Sequence, residues 1–498
     1  MFLKAGLLSL LLLLSSRLLG LARESAQAAA FGTSGLGDIA VLMLSLPDWL
    51  AGVFASGALA YVLLPQWARE TPEAQSATQR RVTNVVLAGG IALGLALWLS
   101  RAGLVGLLAA GVPAALQERA AQALGWSAMA LPAALLAALW ATRLQHLRDF
   151  TGMYGANLVI SAVLVLALIW IDYGDRSTTG LTLLGLSMLL GMGLRLIWLR
   201  WRYLRASPAI ALGQAAGAPA SLPRVSVWLW ALLSAGLPPA LPFVARSMAS
   251  VGGEGALATF NYAWKLVELP LLLAIQLVAS LAFPAITRAF AEVQGEGQHR
   301  SEPVVHAVRN AFALAWTLAC AAVAGLLLGA PAVAQLLFGW GRMGPEALTQ
   351  VAVWGATGAW GLLPQALIVV ALSVLATQGR MRLAAGAWLA ALIILLAASG
   401  WAEGDGARLM ALLNALLAGV AVATLLALGP AARYWLPLRL MAATGGALLI
   451  LAGALAVGWV QMPVGRGLDG LLWAIGAASG CMVLAWFAGP DLKRALQR

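Results

Sequence analysis

Apolar runs of about twenty residues, separated by short polar intervals, recur from one end of this chain to the other. A run of that length, wound as α-helix at 1.5 Å per residue, covers the roughly 30 Å hydrocarbon core of a bilayer. Fourteen such runs are counted, centred near Leu13, Ala51, Leu95, Ala134, Leu164, Leu189, Ala235, Leu273, Leu318, Leu367, Leu392, Leu416, Leu449 and Ala478. The pattern predicts an all-α polytopic membrane protein with fourteen transmembrane helices. Several runs are interrupted by proline, at Pro47, Pro132, Pro238, Pro239, Pro242, Pro270, Pro284 and Pro364. Within a bundle such breaks are tolerated where neighbours satisfy the freed backbone groups, and they mark moving or cavity-lining helices. The longest polar interval, residues 201–224, is only a linker, so no soluble domain of ordinary size fits.

Composition agrees. Of 498 residues, 62% are hydrophobic and 10% charged, against about 25% charged in soluble domains. The net charge of +12 is scattered in small groups between apolar runs rather than gathered into a stripe, which speaks against a nucleic-acid partner. It reads instead as topology. With fourteen spans both termini lie on one side, and basic residues, Arg195 among them, favour that side by about three to one; the positive-inside rule then places both termini in the cytoplasm. Lys4, the run Gly6–Leu14 and the triplet Ala26-Gln27-Ala28 imitate a secretory signal. Arg17, Arg23 and Glu24 would then stand before the cleavage site, where such a signal is short and uncharged, so the segment is expected to stay as the first span. Cys320 and Cys481 are far apart and are expected to be packing residues. His146, His299 and His306 lie by cytoplasmic loops without ligand spacing, so no metal and no cofactor are expected. No catalytic constellation emerges: the longest external interval, residues 101–125, holds only Arg101, Glu118 and Arg119 as charged residues.

This bookkeeping leaves intramembrane charge in three spans: Arg17, Arg23 and Glu24 in the first, Asp38 and Asp48 in the second, Lys265 and Glu268 in the eighth. Each costs roughly 2.5–3.5 kcal/mol on insertion scales, so such residues face a protein interior or a watery cavity. Arg17 and Arg23, six residues apart, point about 120° apart around the helix and suit one broad cavity; Arg23 with Glu24 can equally snorkel from the helix end. Asp38 is expected either to pair with one of these arginines or to cap the second span. Asp48, after Pro47, is expected to cap a restarted helix. Lys265 and Glu268 share a helix face, and either neutralise each other or present the lysine to an anion. Spans two and eight also resemble each other, with Leu46-Pro47 matched by Leu269-Pro270, Pro65 by Pro284 and Arg69 by Arg288. The repeat suggests two six-helix lobes, residues 1–222 and 223–430, around a central cavity, with residues 431–498 adding spans thirteen and fourteen and a tail.

The segment Ser16-Arg17-Leu18-Leu19-Gly20-Leu21-Ala22-Arg23-Glu24, followed by Ala30-Phe31-Gly32, Asp38, Leu46-Pro47 and Gly57-Ala58, closely resembles the opening of the MviN/MurJ lipid II flippases. Tyr262-Ala263-Trp264-Lys265-Leu266-Val267-Glu268-Leu269-Pro270 and Phe283-Pro284 resemble their eighth span. The resemblance implies the fold of the multidrug/oligosaccharidyl-lipid/polysaccharide exporter superfamily, a bacterial inner-membrane location, and an alternating cationic cavity for an undecaprenyl-diphosphate-linked sugar, lipid II being favoured. A transporter rather than an enzyme is expected, as the short external loops argue, acting as a monomer, with a counter-ion left open. Arg17, Arg23 and Lys265 then correspond to the cavity cations and Asp38 to their acidic companion, with Glu268 beside Lys265. This chain departs from the pattern at Ala51-Gly52, where the family has two arginines, at Ser56, where it has glutamate, and at Lys265, which replaces an arginine and loses its planar fork. Those departures keep two alternatives open: a flippase for another lipid-linked glycan, of exopolysaccharide or O-antigen type, and a non-transporting scaffold of the same fold.

Overall fold

Gly32 ends the first helix, α1 (Phe2–Phe31), in the left-handed region at φ 60°, and a Cβ there would stand 2.7 Å from the carbonyl oxygen of Arg342. Ser34 then starts α2 (Gly35–Gly52), its hydroxyl accepting the Gly37 N–H at 3.3 Å. The computed structural model describes residues 2–174, 177–206, 224–292, 301–402, 404–458, 467–490 and 492–493, so His299, the linker at 207–223 and the tail from 494 lie outside them. Among the described residues the regular structure is helical throughout.

Pro47 does not break α2 where it stands. Lacking an N–H, it frees the carbonyl of Met43 four residues back, and Ser127 takes up that carbonyl at 2.7 Å. The break comes later, as a π-helical segment at Val53–Ala58 that leads into α3 (Leu59–Trp67). Removing the Ser127 hydroxyl orphans a buried acceptor, which costs about 1–3 kcal/mol. Ser127→Ala is therefore expected to lower the thermal unfolding midpoint in detergent, with Ser127→Thr near wild type; equal midpoints for all three would refute the link.

Two compact units divide the chain: Met1–Ala258 with Trp340–Met343, and Thr259–Gly339 with Gly344–Arg498. In the first, α4 (Pro72–Leu108) and α5 (Gln117–His146) pack most extensively, because Gly90 and Gly94 bare one face of α4. Cβ atoms there would lie 2.9 Å from Pro132 Cα and 2.6 Å from the Ala128 carbonyl oxygen. Arg143 of α5 is buried over the Trp67 ring, 4.8 Å from its centroid, and donates to Gln75 at 2.9 Å, fastening the α3–α4 corner. Next come α6 (Phe150–Tyr173), capped by Asp149 through the Gly152 N–H at 2.9 Å, and α7 (Ser177–Ala206), whose Trp198 donates to the Gly152 carbonyl at 2.9 Å. The triple-proline helix α8 (Val225–Ala249) packs on the π segment, its Phe243 stacked 4.8 Å from Trp49. The sequence repeat had placed α8 with the second lobe.

The second unit takes in most of α9 (Ala256–Pro270), then a π segment at Leu271–Ile275 and α10 (Gln276–Glu292). Spans two and eight thus both carry a π segment after their shared Leu-Pro, starting six residues beyond Pro47 in one and directly after Pro270 in the other. Its core is α11 (Glu302–Phe338), buried along most of its length and crossed closely by the last helix, Leu468–Ala488: a Cβ on Gly329 would meet Ala474 Cβ. Cys320 and Cys481 are free and buried, as packing residues are. Eleven of the described helices are long and apolar enough to cross a membrane, twelve if the pair Pro345–Ala359 and Leu362–Thr377, bent by 46°, is one span. Fourteen additionally requires α1 and the 17-residue helix Met381–Ala397.

Candidate substrate-binding site

Arg23 sits inside the first unit, on the face of α1 turned toward α2. Its Nη1 donates to Asp48 Oδ2 at 2.8 Å and its Nη2 to Glu24 Oε1 at 3.1 Å, while Nε is buried without an acceptor. With 15% of its side chain exposed, Arg23 does not snorkel to water; it is clasped. A charge-assisted fork of this kind is the donor geometry that grips carboxylate or phosphate oxygens. Asp48 therefore serves as an arginine's partner rather than as the cap of a restarted helix. Arg17, two turns earlier on α1, is exposed and makes no ion pair among the described residues, lying within electrostatic reach of Tyr154 on α6.

Asp38 pairs with neither arginine, which corrects the expectation that it is their acidic companion. It is wholly buried, and its carboxylate accepts the backbone N–H groups of Gly255 at 2.7 Å and Ala258 at 2.8 Å, where α9 begins. Glu254 answers from the other side, its Oε1 accepting the Gly35 N–H at 2.8 Å at the start of α2. Each acid thus fills orphan donors at the helix start of the other, and Ser34 rather than Asp38 supplies the local cap of α2. The turn is tight enough to exclude any side chain at Gly255, whose φ is 80° and whose Cβ would fall 1.9 Å from the Thr33 carbonyl oxygen.

In the second unit Lys265 Nζ donates to Glu268 Oε2 at 2.7 Å, one helical turn away, both side chains being about a quarter exposed. His146 packs edge-on to Trp67 and His306 pairs with Glu302 at 3.3 Å. Among the described residues no cluster of His, Cys, Asp or Glu is placed to hold a metal ion.

One cation of the site was missed by sequence reasoning. Arg195 of α7, counted above among cytoplasmic-side basic residues, lies eleven residues before Ala206, about 16 Å along the helix. Its Nη2 donates to Asn157 Oδ1 of α6 at 2.9 Å, its Nε is buried without an acceptor, and the Asp48 carboxylate acts on it electrostatically. Intramembrane charge thus extends to span six. The available signal was the apolar surroundings Leu194-Arg195-Leu196-Ile197-Trp198, which put Arg195 a full two turns deeper than Arg202 and Arg205.

Residues 27–459, most of the chain, match the family described as "Lipid II flippase MurJ". The chain belongs to the MurJ family. Asp38, Asp48, Lys265 and Glu268 fall within the matched range, whereas Arg17 and Arg23 precede it. A relative from Rhizobium meliloti (strain 1021), described as a probable lipid II flippase MurJ, is 27% identical over 357 residues, covering 68% of this chain and 63% of the relative. The aligned part therefore spans somewhat under two thirds of that MurJ relative's length. Among solved structures, a lipid II flippase MurJ in an inward closed conformation superposes with a TM-score of 0.73 at 13% identity over 99% of this chain and 100% of the other. An inward-facing MATE family multidrug transporter of the MOP superfamily follows with a TM-score of 0.63 at 16% identity, over 90% of this chain and 99% of the other. The MurJ and MATE likenesses establish the fold, and family membership together with the many long apolar helices makes this a multi-pass inner-membrane protein.

Proposed function

We propose that this protein moves lipid II, an undecaprenyl-diphosphate-linked sugar precursor of peptidoglycan, from the cytoplasmic to the outer leaflet by alternating access. The observation that carries the proposal is Arg23, a forked cation held between two carboxylates with its buried Nε still without an acceptor. Membership of the MurJ family favours lipid II over another lipid-linked glycan and favours transport over a scaffold role. In this mechanism the diphosphate enters from the cytoplasm and is met first by exposed Arg17 and then by Arg23 and Lys265, while the polyprenyl tail stays in lipid. Lys265 exchanges Glu268 for substrate oxygen. Alternating access then releases the head group outside, with fourteen spans and both termini in the cytoplasm. Asp38 contributes by fixing the backbone where α9 begins rather than by touching substrate.

Energy is available without nucleotide hydrolysis. With the cell interior negative, each anionic charge carried outward gains about 2.3 kcal/mol per 100 mV, so the substrate's own diphosphate biases the cycle. The reading is tested by depleting the protein in its host and identifying the lipid-linked precursor left on the cytoplasmic leaflet. Lipid II is expected; accumulation of a different glycan, or of none, rejects the proposal.

Lys265 offers a sharper local check. Lys265→Arg keeps the charge and adds a fork, and is expected to retain transport in proteoliposomes. Lys265→Ala is expected to lower it at least tenfold, since it leaves Glu268 alone to repel the diphosphate. Equal transport by both variants would mean that the lysine merely neutralises Glu268.

A further inference from the structure

Arg23, Glu24, Asp48 and Arg195 form a group of two cations and two anions contributed by α1, α2 and α7. The group carries no net charge when empty, which lowers the cost of holding it in the membrane. The two arginines are unequally served. Arg23 is gripped by two carboxylates, whereas the hydrogen-bond partner of Arg195 is the neutral amide of Asn157, and its buried Nε lacks an acceptor. Asp48 is common to both, bonded to Arg23 at 2.8 Å and acting through space on Arg195. Its side chain is also more open than those of the pair it joins, at 37% exposure against 15% for Arg23 and 10% for Glu24. The backbone beneath it has slack, because Asp48 follows Pro47 and precedes the π segment at Val53–Ala58, so the helical ladder is interrupted on either side.

We propose that Asp48 is a built-in stand-in for the substrate's anion, resting on Arg23 while the site is empty and passing to Arg195 when a diphosphate takes its place. The proposal rests on the flippase reading above and deepens it. A diphosphate arriving at Arg23 meets a carboxylate already there, and like charges side by side are repelled. Moving Asp48 to Arg195 relieves that repulsion, keeps the carboxylate paired, and gives Arg195 the acceptor it lacks. On release Asp48 returns, so that the empty protein completes its cycle with no unpaired charge at Arg23. Arg195 is then a positioning residue, acting on substrate only through Asp48. Ala51-Gly52 makes the device necessary, since α2 offers no cation of its own beside Asp48.

The test is a double-variant cycle on the full-length protein in detergent, reading the dissociation constant for undecaprenyl diphosphate by native mass spectrometry. Asp48→Asn removes the competitor and is expected to tighten binding about tenfold. Arg195→Gln strands Asp48 on Arg23 and is expected to weaken binding about tenfold, with Arg195→Lys close to wild type. Because Arg195 acts only through Asp48, the double variant Asp48→Asn/Arg195→Gln is expected to bind as tightly as Asp48→Asn alone. Additive effects, returning the double variant to the wild-type value, would overturn the handover and make Arg195 structural or a direct ligand. Should Arg195→Gln fail to fold, Asp48→Asn binding no tighter than wild type overturns the proposal by itself. Wild-type protein that does not bind undecaprenyl diphosphate at all overturns the functional reading, a different outcome from binding with additive variants.

Discussion

Arg23→Ala is expected to abolish lipid II flipping, reducing it a hundredfold or more in proteoliposomes, while the protein still inserts and runs as a single species. Truncating one member of a desolvated, hydrogen-bonded charge pair costs about 2–5 kcal/mol, and every 1.4 kcal/mol is about tenfold. Part of that loss has a trivial source. Without Arg23, the carboxylates of Asp48 and Glu24 lose the guanidinium they share, so the single variant lowers stability as well as substrate affinity. The variant Arg23→Gln/Asp48→Asn separates the two effects, because it removes the clasped cation together with one of its two carboxylate partners and leaves a neutral, hydrogen-bonded pair of similar shape, whose amide can still donate to Glu24. Its thermal midpoint is expected near wild type and its transport near that of Arg23→Ala. Transport by the double variant at the wild-type rate would remove Arg23 from the substrate site and leave it a structural clasp.

Asp38→Ala is expected to have the largest effect on stability. The wholly buried carboxylate satisfies two backbone N–H groups, at Gly255 and Ala258, and each orphaned donor costs about 1–3 kcal/mol. A fall of several degrees in the unfolding midpoint is expected, and Asp38→Asn should fall between the two because its amide oxygen accepts while its NH₂ opposes a second donor. The local signature is more specific than the midpoint. Amide hydrogen exchange at residues 255–258 should accelerate in Asp38→Ala but not in Arg23→Ala. Unchanged protection there would show that the carboxylate does not hold this helix start.

The membrane class, the all-helical architecture and three of the four charged helices were legible in the sequence because each is a local property. A twenty-residue apolar run must cross hydrocarbon as helix whatever surrounds it, and an arginine within one must find a partner. Pairing was not legible. Asp38, fourteen residues past the end of the SRLLGLARE segment, looked like the natural companion of Arg17 or Arg23, yet α2 turns it toward backbone N–H groups more than two hundred residues away in sequence. Arg23 instead chose Asp48, ten residues further along the same helix. Arg195 was hidden for a related reason. Counting basic residues along the chain assigns any arginine near a span end to the interface, and only the packing of α7 on α6 shows that its head group points inward to Asn157.

What the sequence by itself determined is the solvent this protein folds in, the approximate place of its helices, and the family motifs that carry Arg17, Arg23, Lys265 and Glu268. Only the tertiary structure decided who neutralises whom. Coulombic and hydrogen-bond partners depend on distances of about 3 Å between side chains on different helices, and those distances follow from helix rotation and packing, to which Gly90, Gly94 and the carbonyl freed by Pro47 all contribute. Hydrophobic periodicity sets neither to the precision that an ion pair requires.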